Sequence, residues 1–435
     1  MYRDAYQRLV EWKDSKGRKP LVLRGARQVG KTWLLQHFGE QNYKQVVYVN
    51  MEDDGDVQSI FDLDLDPARI IRAIETARKV SIDPENTLII FDEVQAIPRA
   101  LTSLKYFFEK APQYHIAVAG SLLGIALHEG TSFPVGKVDF VDVLPMNFYE
   151  FLKANGDDGY AEGVRLNTLS AEELSAFHDI LMQKLYVFMA VGGMPEAVKA
   201  YIDGAPLSKV REVQKKIVDA YELDFSKHAS TTDAPKIREI FNSIPQFLAR
   251  ENKKFIFGAI KESARAREYE SALLWIEDTG IASRVTRVNS GDSPLMAYAN
   301  RNIFKLFYSD VGLLGAKMKV DPAMIVKNDP SMSLFMGAYT EQLVFQEMKS
   351  AIGDAIFYFS RDDSRGEIDF IVQDGVSVVP VEVKAGKNLS ATSLKNFIDK
   401  WGVKKAIKFS ELPYRRNEKI VNAPLYLAGA INKLS

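Results

Sequence analysis

Four short runs of β-branched and apolar residues punctuate the amino-terminal part of the chain: Pro20–Arg24, Gln45–Asn50, Thr87–Asp92 and His115–Ala119. Nearly all-apolar strands separated by helix-length stretches predict a parallel sheet covered on both faces, since each crossover carries the chain back over the sheet. After Leu144–Phe151 (LPMNFYEF) the strand signals stop, and helical periodicity runs from about Ala171 to Ala249. It is interrupted at Gly192–Val198 (GGMPEAV), where Gly-Gly breaks one helix and Pro195 suits the first turn of the next. From Ser243 to Leu314, short helical stretches precede two runs, Ala282–Val288 and Leu295–Ala299, on either side of an Asn-Ser-Gly-Asp turn. Helix, helix and hairpin outline a winged helix with Arg267–Thr279 in the recognition position, or a packing module of the same outline. Beyond Asn328-Asp329-Pro330, a helix (Gly337–Ser350), a strand hairpin (Glu367–Ala385) and a helix (Ser390–Lys400) predict a small α/β unit. The expected division is a core over 1–170, a helical lid over 171–242, a winged-helix-like segment over 243–326 and a terminal α/β domain over 327–435.

Composition narrows what these elements do. With 435 residues and 46% hydrophobic content the chain buries a sizeable core in two or three domains. Its 56 Lys plus Arg against 57 Asp plus Glu leave no case from overall charge for nucleic acid or an anionic membrane, so partners have to be argued from sites. The chain has no Cys, which excludes a disulfide framework, a thiolate zinc site and a cysteine nucleophile. Its five His are scattered without metal-ligand spacing. The start of the chain lacks the apolar run of a signal peptide, and no window reaches the roughly 18 apolar residues of a membrane span. The expected location is the cytoplasm, with no membrane partner.

Directly after the first strand stands Gly25-Ala26-Arg27-Gln28-Val29-Gly30-Lys31-Thr32, a full match to G-x-x-x-x-G-K-[ST], followed by a helical stretch from Trp33. The glycines allow consecutive backbone N–H groups to converge on a β-phosphate, and the helix N-terminus adds partial positive charge. Lys31 is then placed to neutralise the β- and γ-phosphates of ATP, and Thr32 to put its hydroxyl on Mg²⁺. The third strand ends in Asp92-Glu93, where Asp92 is positioned to hold the Mg²⁺ water shell and Glu93 to take a proton from an attacking water. The bland alternative for Glu93 is a solvated acid at a strand end. Ser121, after the fourth strand, either faces the γ-phosphate or caps the helix that follows.

Together, RGARQVGKT (Arg24–Thr32), IIFDEVQ (Ile89–Gln95), AGSLLG (Ala119–Gly124), SFPVGKVDF (Ser132–Phe140), LPMNFYEF and GGMPEAV resemble the AAA-like P-loop ATPases of bacteria and archaea that carry a C-terminal domain of unknown function. The C-terminal part also looks like that family's second domain. The resemblance implies an ATPase core, a helical lid, a winged-helix segment and a terminal domain similar to restriction-endonuclease-like folds. Many relatives have Gly-Arg where this chain has Gly136-Lys137, and Lys does not reproduce the rigid guanidinium fork that stabilises a phosphoryl transition state. The arginine finger is therefore unassigned.

In the terminal part, Glu367-Ile368-Asp369 and Glu382-Val383-Lys384 flank Gln373-Asp374-Gly375, and Asp-Gly between alternating strands predicts a hairpin. With Asp374-Gly375 as the turn, Asp369 falls opposite Pro380, Asp369 and Glu382 become diagonal neighbours, and Lys384 shares their face. Ile368, Phe370, Val372, Val381 and Val383 then form the buried face. This fits the D-x(n)-E-x-K arrangement of nucleases, in which the acids hold Mg²⁺ and the Lys orients or activates water. Glu341, on the preceding helix, is a further acid for that site. Other readings of the same residues are a solvated polar face or a nuclease-like fold that binds without cutting. Residues 391–435 carry nine Lys or Arg against three acids, with Trp401, Phe409 and Tyr414 among them, as a phosphate-backbone contact needs and as a solvated basic face also shows. Two functions stand side by side: an ATP-hydrolysing switch that positions a nuclease-like domain on DNA, and an ATP-gated signalling or scaffold protein whose terminal domain binds a protein partner or a second copy of the chain.

Overall fold

The computed structural model describes residues 1–53, 55–120, 134, 136–250, 253–260, 265–361, 366–386 and 391–434, apart from the side chains of 55–57 and 334. They form two compact units, one of 2–144 with 278–281, the other of Met1, 145–277 and 282–435.

The first unit is built on a five-stranded parallel sheet, β1 (Leu21–Arg24), β2 (Gln45–Asn50), β3 (Thr87–Asp92), β4 (His115–Ala119) and β5 (Asp139–Asp142), in the order β2-β3-β4-β1-β5. Every residue of β3 and β4 is buried, as the unbroken apolar runs require of strands covered on both faces. Helices Pro67–Arg78 and Pro98–Lys110 place Ile70, Ile74, Leu101 and Leu104 in one core with Val47, Ile89, Phe91 and Val118. The fifth strand was not among those expected. Its sequence, Asp-Phe-Val-Asp, reads as polar because it is the sheet edge, where Asp142 pairs with Arg24 of β1 at 2.8 Å. Since all five strands run the same way, the loops after β1 and β3 leave from one end of the sheet, where ligands of α/β folds collect.

The second unit begins with the helices predicted between 171 and 249. Helix His178–Val191 stops at Gly192, and Pro195 opens helix Pro195–Ile202. The intervening glycines are required by their neighbours. A Cβ on Gly193 falls 1.9 Å from the Met146 carbonyl oxygen. The Gly193 N–H donates to the carboxylate of fully buried Asp310 at 2.5 Å, and its carbonyl accepts the Met146 N–H at 2.7 Å.

An eight-stranded mixed sheet completes this unit: β6 (Ala282–Val288), β7 (Ala299–Tyr308), β8 (Ile356–Ser360), β9 (Glu367–Asp374), β10 (Ser377–Val383), β11 (Ala406–Ser410), β12 (Arg415–Asn417) and β13 (Ile420–Pro424), in the order β12-β13-β11-β10-β9-β8-β6-β7. Helix Ser333–Ile352 packs Phe345 on Phe307 and Phe370, whereas helix Thr392–Trp401 packs Phe397 and Trp401 on Phe359. Two expectations change here. The β6–β7 pair is antiparallel, as a wing would be, but Thr286–Val288 also pair in parallel with Phe357–Phe359 of β8. The expected run Leu295–Ala299 is instead a 3-10 turn over Leu295–Tyr298, and the partner of β6 is the strand after it, Ala299–Tyr308. β6 and β7 are thus the border of the terminal sheet, and the division expected at 326/327 runs through that sheet. Pairing with a strand some 70 residues downstream leaves no local signal in the sequence.

No helix among the described residues is long and apolar enough to cross a membrane.

Candidate functional site

The loop after β1 has the conformation that its residue types prescribe. Gly25 takes φ +144° and packs so tightly on β5 that an added Cβ would lie 2.1 Å from the Val143 carbonyl oxygen. Gly30 takes φ +90° and opens helix Lys31–Asn42, and Gln28 between them is also left-handed at φ +66°. The two glycines satisfy these angles at no steric cost. Val29 and Ala26 are buried, which anchors the loop from below. A residue that the motif does not contain holds its tip: Arg3, itself buried, donates to the Val29 carbonyl at 2.7 Å and to the Leu144 carbonyl at 2.5 Å. Nothing in the sequence around Arg3 signals this role.

Lys31 folds back on the loop and donates to the carbonyls of Gly25 at 2.9 Å and Ala26 at 2.8 Å. Burial, opposed by Glu93 and Asp92 and reinforced by Arg27, draws its ammonium down to about 8. The Thr32 hydroxyl donates to Asp92 Oδ2 at 2.7 Å, joining the P-loop helix to the end of β3. Asp92 is only 4% exposed, and Tyr48 Oη donates to the same oxygen at 2.9 Å. Thr32 and Asp92 are therefore close enough to share one Mg²⁺ shell, and the buried lysine beside the glycine loop suits a polyphosphate.

Glu93 follows at φ +47°, a left-handed angle that is uncommon for a residue with a side chain and often marks functional positions. Its N–H donates to Asp92 Oδ1 at 3.0 Å, and Gln95 Nε2 donates to Glu93 Oε2 at 2.6 Å. Gln95 lies inside the IIFDEVQ segment, yet only the structure gives it the task of orienting Glu93. Ser121 falls outside the described residues. Lys137 precedes β5, at the amino ends of the strands, and its ammonium pairs with Glu109 at 3.2 Å over the Phe108 ring. It lies at the end of the sheet opposite the phosphate loop.

The second set of predicted residues gathers in the terminal sheet, with a different register. Asp374 pairs with Ser377 and Pro380 with Ile371, so the two-residue turn is Gly375-Val376 with Gly375 at φ +58°. That is the Gly-X turn with a single positive φ at its first position, one residue on from the expected Asp-Gly. The register moves by two residues, which keeps the faces but sets Asp369 level with Glu382 rather than diagonal to it. Pairing stops at Phe370 and Val381, and Asp369 Oδ2 accepts the Val383 N–H at 2.8 Å. The expected single buried face is also corrected. Ile368 joins the cluster of Ile371 and Phe397, while Phe370 stacks towards Phe345, because the β8–β9 register slips between Phe357 and Phe359.

Lys384 Nζ pairs with Glu382 Oε1 at 2.6 Å, and Glu382 Oε2 is buried without a hydrogen-bond partner. Burial, Glu341 and Glu382 together push Asp369 upward. Glu341 is nearby but does not stand as a metal ligand. Its Oε1 lies 3.0 Å from Lys305 Nζ, and its Oε2 pairs with Lys253. Among the described residues no three acidic or histidine side chains form a metal-ligand group. A buried carboxylate takes the nearest cations, and here two lysines from distant parts of the chain supply them. Both lysines escaped the sequence reading, and Glu367, which pairs with Lys305 at 2.7 Å, was placed on the hairpin without a role.

Residues 17–152 match the family described as an AAA domain. Residues 182–323 and 336–426 match two families described as domains of unknown function (DUF8612 and DUF4143). Among solved structures, a Walker-type ATPase of Pyrococcus abyssi is 15% identical over 73% of this chain and 95% of its own, with a TM-score of 0.45. Cdc6p of Pyrobaculum aerophilum is 13% identical over 74% and 93%, with a TM-score of 0.26. The ORC1 protein of Aeropyrum pernix, solved in complex with DNA, is 12% identical over 75% and 92%, with a TM-score of 0.25. No curated protein matches the chain. The stretch 17–152 that matches the AAA domain family is the one that carries the glycine loop, the buried lysine and the strand-end acids.

Proposed function

We propose that the protein is an ATP-hydrolysing switch whose second unit carries a nuclease-like centre acting on nucleic acid. The observation that carries the first half is the 2.7 Å bond from Thr32 to Asp92 beside the buried ammonium of Lys31. In this reading the amides of Gly25–Thr32 hold the phosphates, Lys31 exchanges its two carbonyl bonds for phosphate oxygens, and Thr32 and Asp92 hold Mg²⁺. Bound Mg²⁺ supplies charge neutralisation between the β- and γ-phosphates. Glu93 accepts the proton of the attacking water, with Gln95 fixing its carboxylate. The helical segment 171–242 relays the nucleotide state to the terminal sheet.

Calorimetric titration with Mg·ATP tests the grip. Lys31→Ala removes two charge-assisted contacts and is expected to weaken binding about a hundredfold or more. The pH profile of the wild type carries a further sign. The empty loop's Lys31 loses its proton near pH 8, whereas phosphate holds the bound form protonated. Affinity is therefore constant below about pH 8 and falls about tenfold per unit above it. A flat profile to pH 9.5, with full binding by Lys31→Ala, contradicts this assignment.

For the second unit, Asp369 and Glu382 are read as the acids of a centre in which Lys384 orients a water. Supporting it are the positions of the two acids, each one residue beyond the last pair Phe370–Val381 of β9 and β10, and the unpartnered Glu382 Oε2. Two carboxylates suffice for Mg²⁺, which keeps most of its waters. Incubation with DNA and Mg²⁺ or Mn²⁺, with and without ATP, is expected to give cleavage that Asp369→Ala abolishes. Intact DNA under every nucleotide condition favours a terminal domain that binds its partner without cutting.

A further inference from the structure

Among the described residues Lys305 is the most completely buried cation of the second unit, at 0% exposure, and it comes from β7, far along the chain from the D…E-x-K segment. Its ammonium lies 3.0 Å from Glu341 Oε1 and 2.7 Å from Glu367 Oε1, over the ring of Tyr358 at 4.9 Å. Lys253 takes the other oxygen of Glu341. A buried ammonium is costly unless carboxylates pair with it, and two of them do so here. Lys carries a compact point charge with three donors, which makes it the side chain nearest in character to a small cation. Glu341, only 1% exposed, has both oxygens committed to ammonium groups. Asp369 and Glu382 are not engaged by Lys305: among the described residues Asp369 Oδ2 accepts only a backbone N–H, from Val383, and Glu382, whose Oε1 pairs with Lys384, has a buried Oε2 without a partner.

We propose that Lys305 is the resident cation of this cluster, engaging Glu341 and Glu367 where a second metal ion would otherwise sit, so that Asp369 and Glu382 bind a single divalent cation. Lys305 is then a positioning residue, and β7 completes the carboxylate site. The single-ion part rests on reading Asp369 and Glu382 as a metal site; the pairing of Lys305 does not.

Two measurements on the full chain without nucleotide separate these parts. In EDTA, K305M is expected to lower the melting temperature of the second unit by about 10 °C, because it takes from buried Glu341 and half-buried Glu367 the cation they share. K305M/E341Q should recover most of that loss. A K305M protein that melts with the wild type, or a double variant as unstable as K305M, overturns the resident-cation role. Manganese titration followed by electron paramagnetic resonance is expected to count one ion on the wild type, none on D369A/E382Q and two on K305M. Two ions on the wild type, or one on a folded K305M, overturns the replacement of a metal by Lys305. None on the wild type refutes the metal reading of Asp369 and Glu382 and overturns the single-ion part. If K305M does not fold, K305M/E341Q should still count one ion, and two would overturn the inference.

Discussion

Glu93→Gln is expected to leave Mg·ATP affinity within about twofold of the wild type and to slow steady-state phosphate release by about 10²- to 10⁴-fold. The substitution keeps the size of the side chain and its acceptor oxygen for Gln95, but removes the basic carboxylate. Asp92 is untouched, and its bonds from Thr32 and Tyr48 remain to shape the Mg²⁺ position. Calorimetry and a phosphate-release assay on the same preparation separate binding from chemistry. Hydrolysis at the wild-type rate would strip Glu93 of the base role and leave it a strand-end acid.

The second large effect is structural. Gly193→Ala is expected to destabilise the second unit by about 4 kcal/mol or more, and to lower its melting temperature by about 10 °C. The new Cβ would lie 1.9 Å from the Met146 carbonyl oxygen, which is backbone and also accepts Gln346 Nε2 at 3.1 Å. Any shift that relieves the clash lengthens the bond from Gly193 N–H to Asp310, a carboxylate at 0% exposure, and removing hydrogen bonds from a buried charge is among the costliest single changes. Gly204→Ala is the comparison. Gly204 also has positive φ, at +85°, but nothing lies within 4 Å of its added Cβ, so only backbone strain of about 1 kcal/mol applies. Differential scanning calorimetry of the two variants checks the contrast, and equal melting points would show that the Met146 approach is not limiting.

The Gly193 joint explains why GGMPEAV stands out in the sequence. A glycine pair followed by proline signals a helix break, but that signal is silent about the reason. The reason is the approach of a carbonyl and a carboxylate from segments 47 and 117 residues away.

What the linear chain determined is the phosphate loop and the strands that carry it. Eight contiguous residues specify their own backbone angles through the glycines at 25 and 30, and Thr32 and Asp92 meet because each stands at the end of an element whose type its neighbours dictate. The fully apolar runs of β3 and β4 are legible for the same reason, since burial on both faces leaves no polar alternation to mislead. The border strand β5, paired along one side only, hid behind its aspartates. In the terminal sheet the faces of Asp369 and Glu382 followed from strand alternation. Their register did not, because Asp-Gly and Gly-Val are both acceptable two-residue turns, and the choice between them lies with the strands on either side. The partners of Glu341 were beyond local reading altogether. Which cation meets a buried carboxylate depends on how β7 pairs with β6, which in turn pairs with β8, and electrostatics acts through space on groups that the chain order keeps apart.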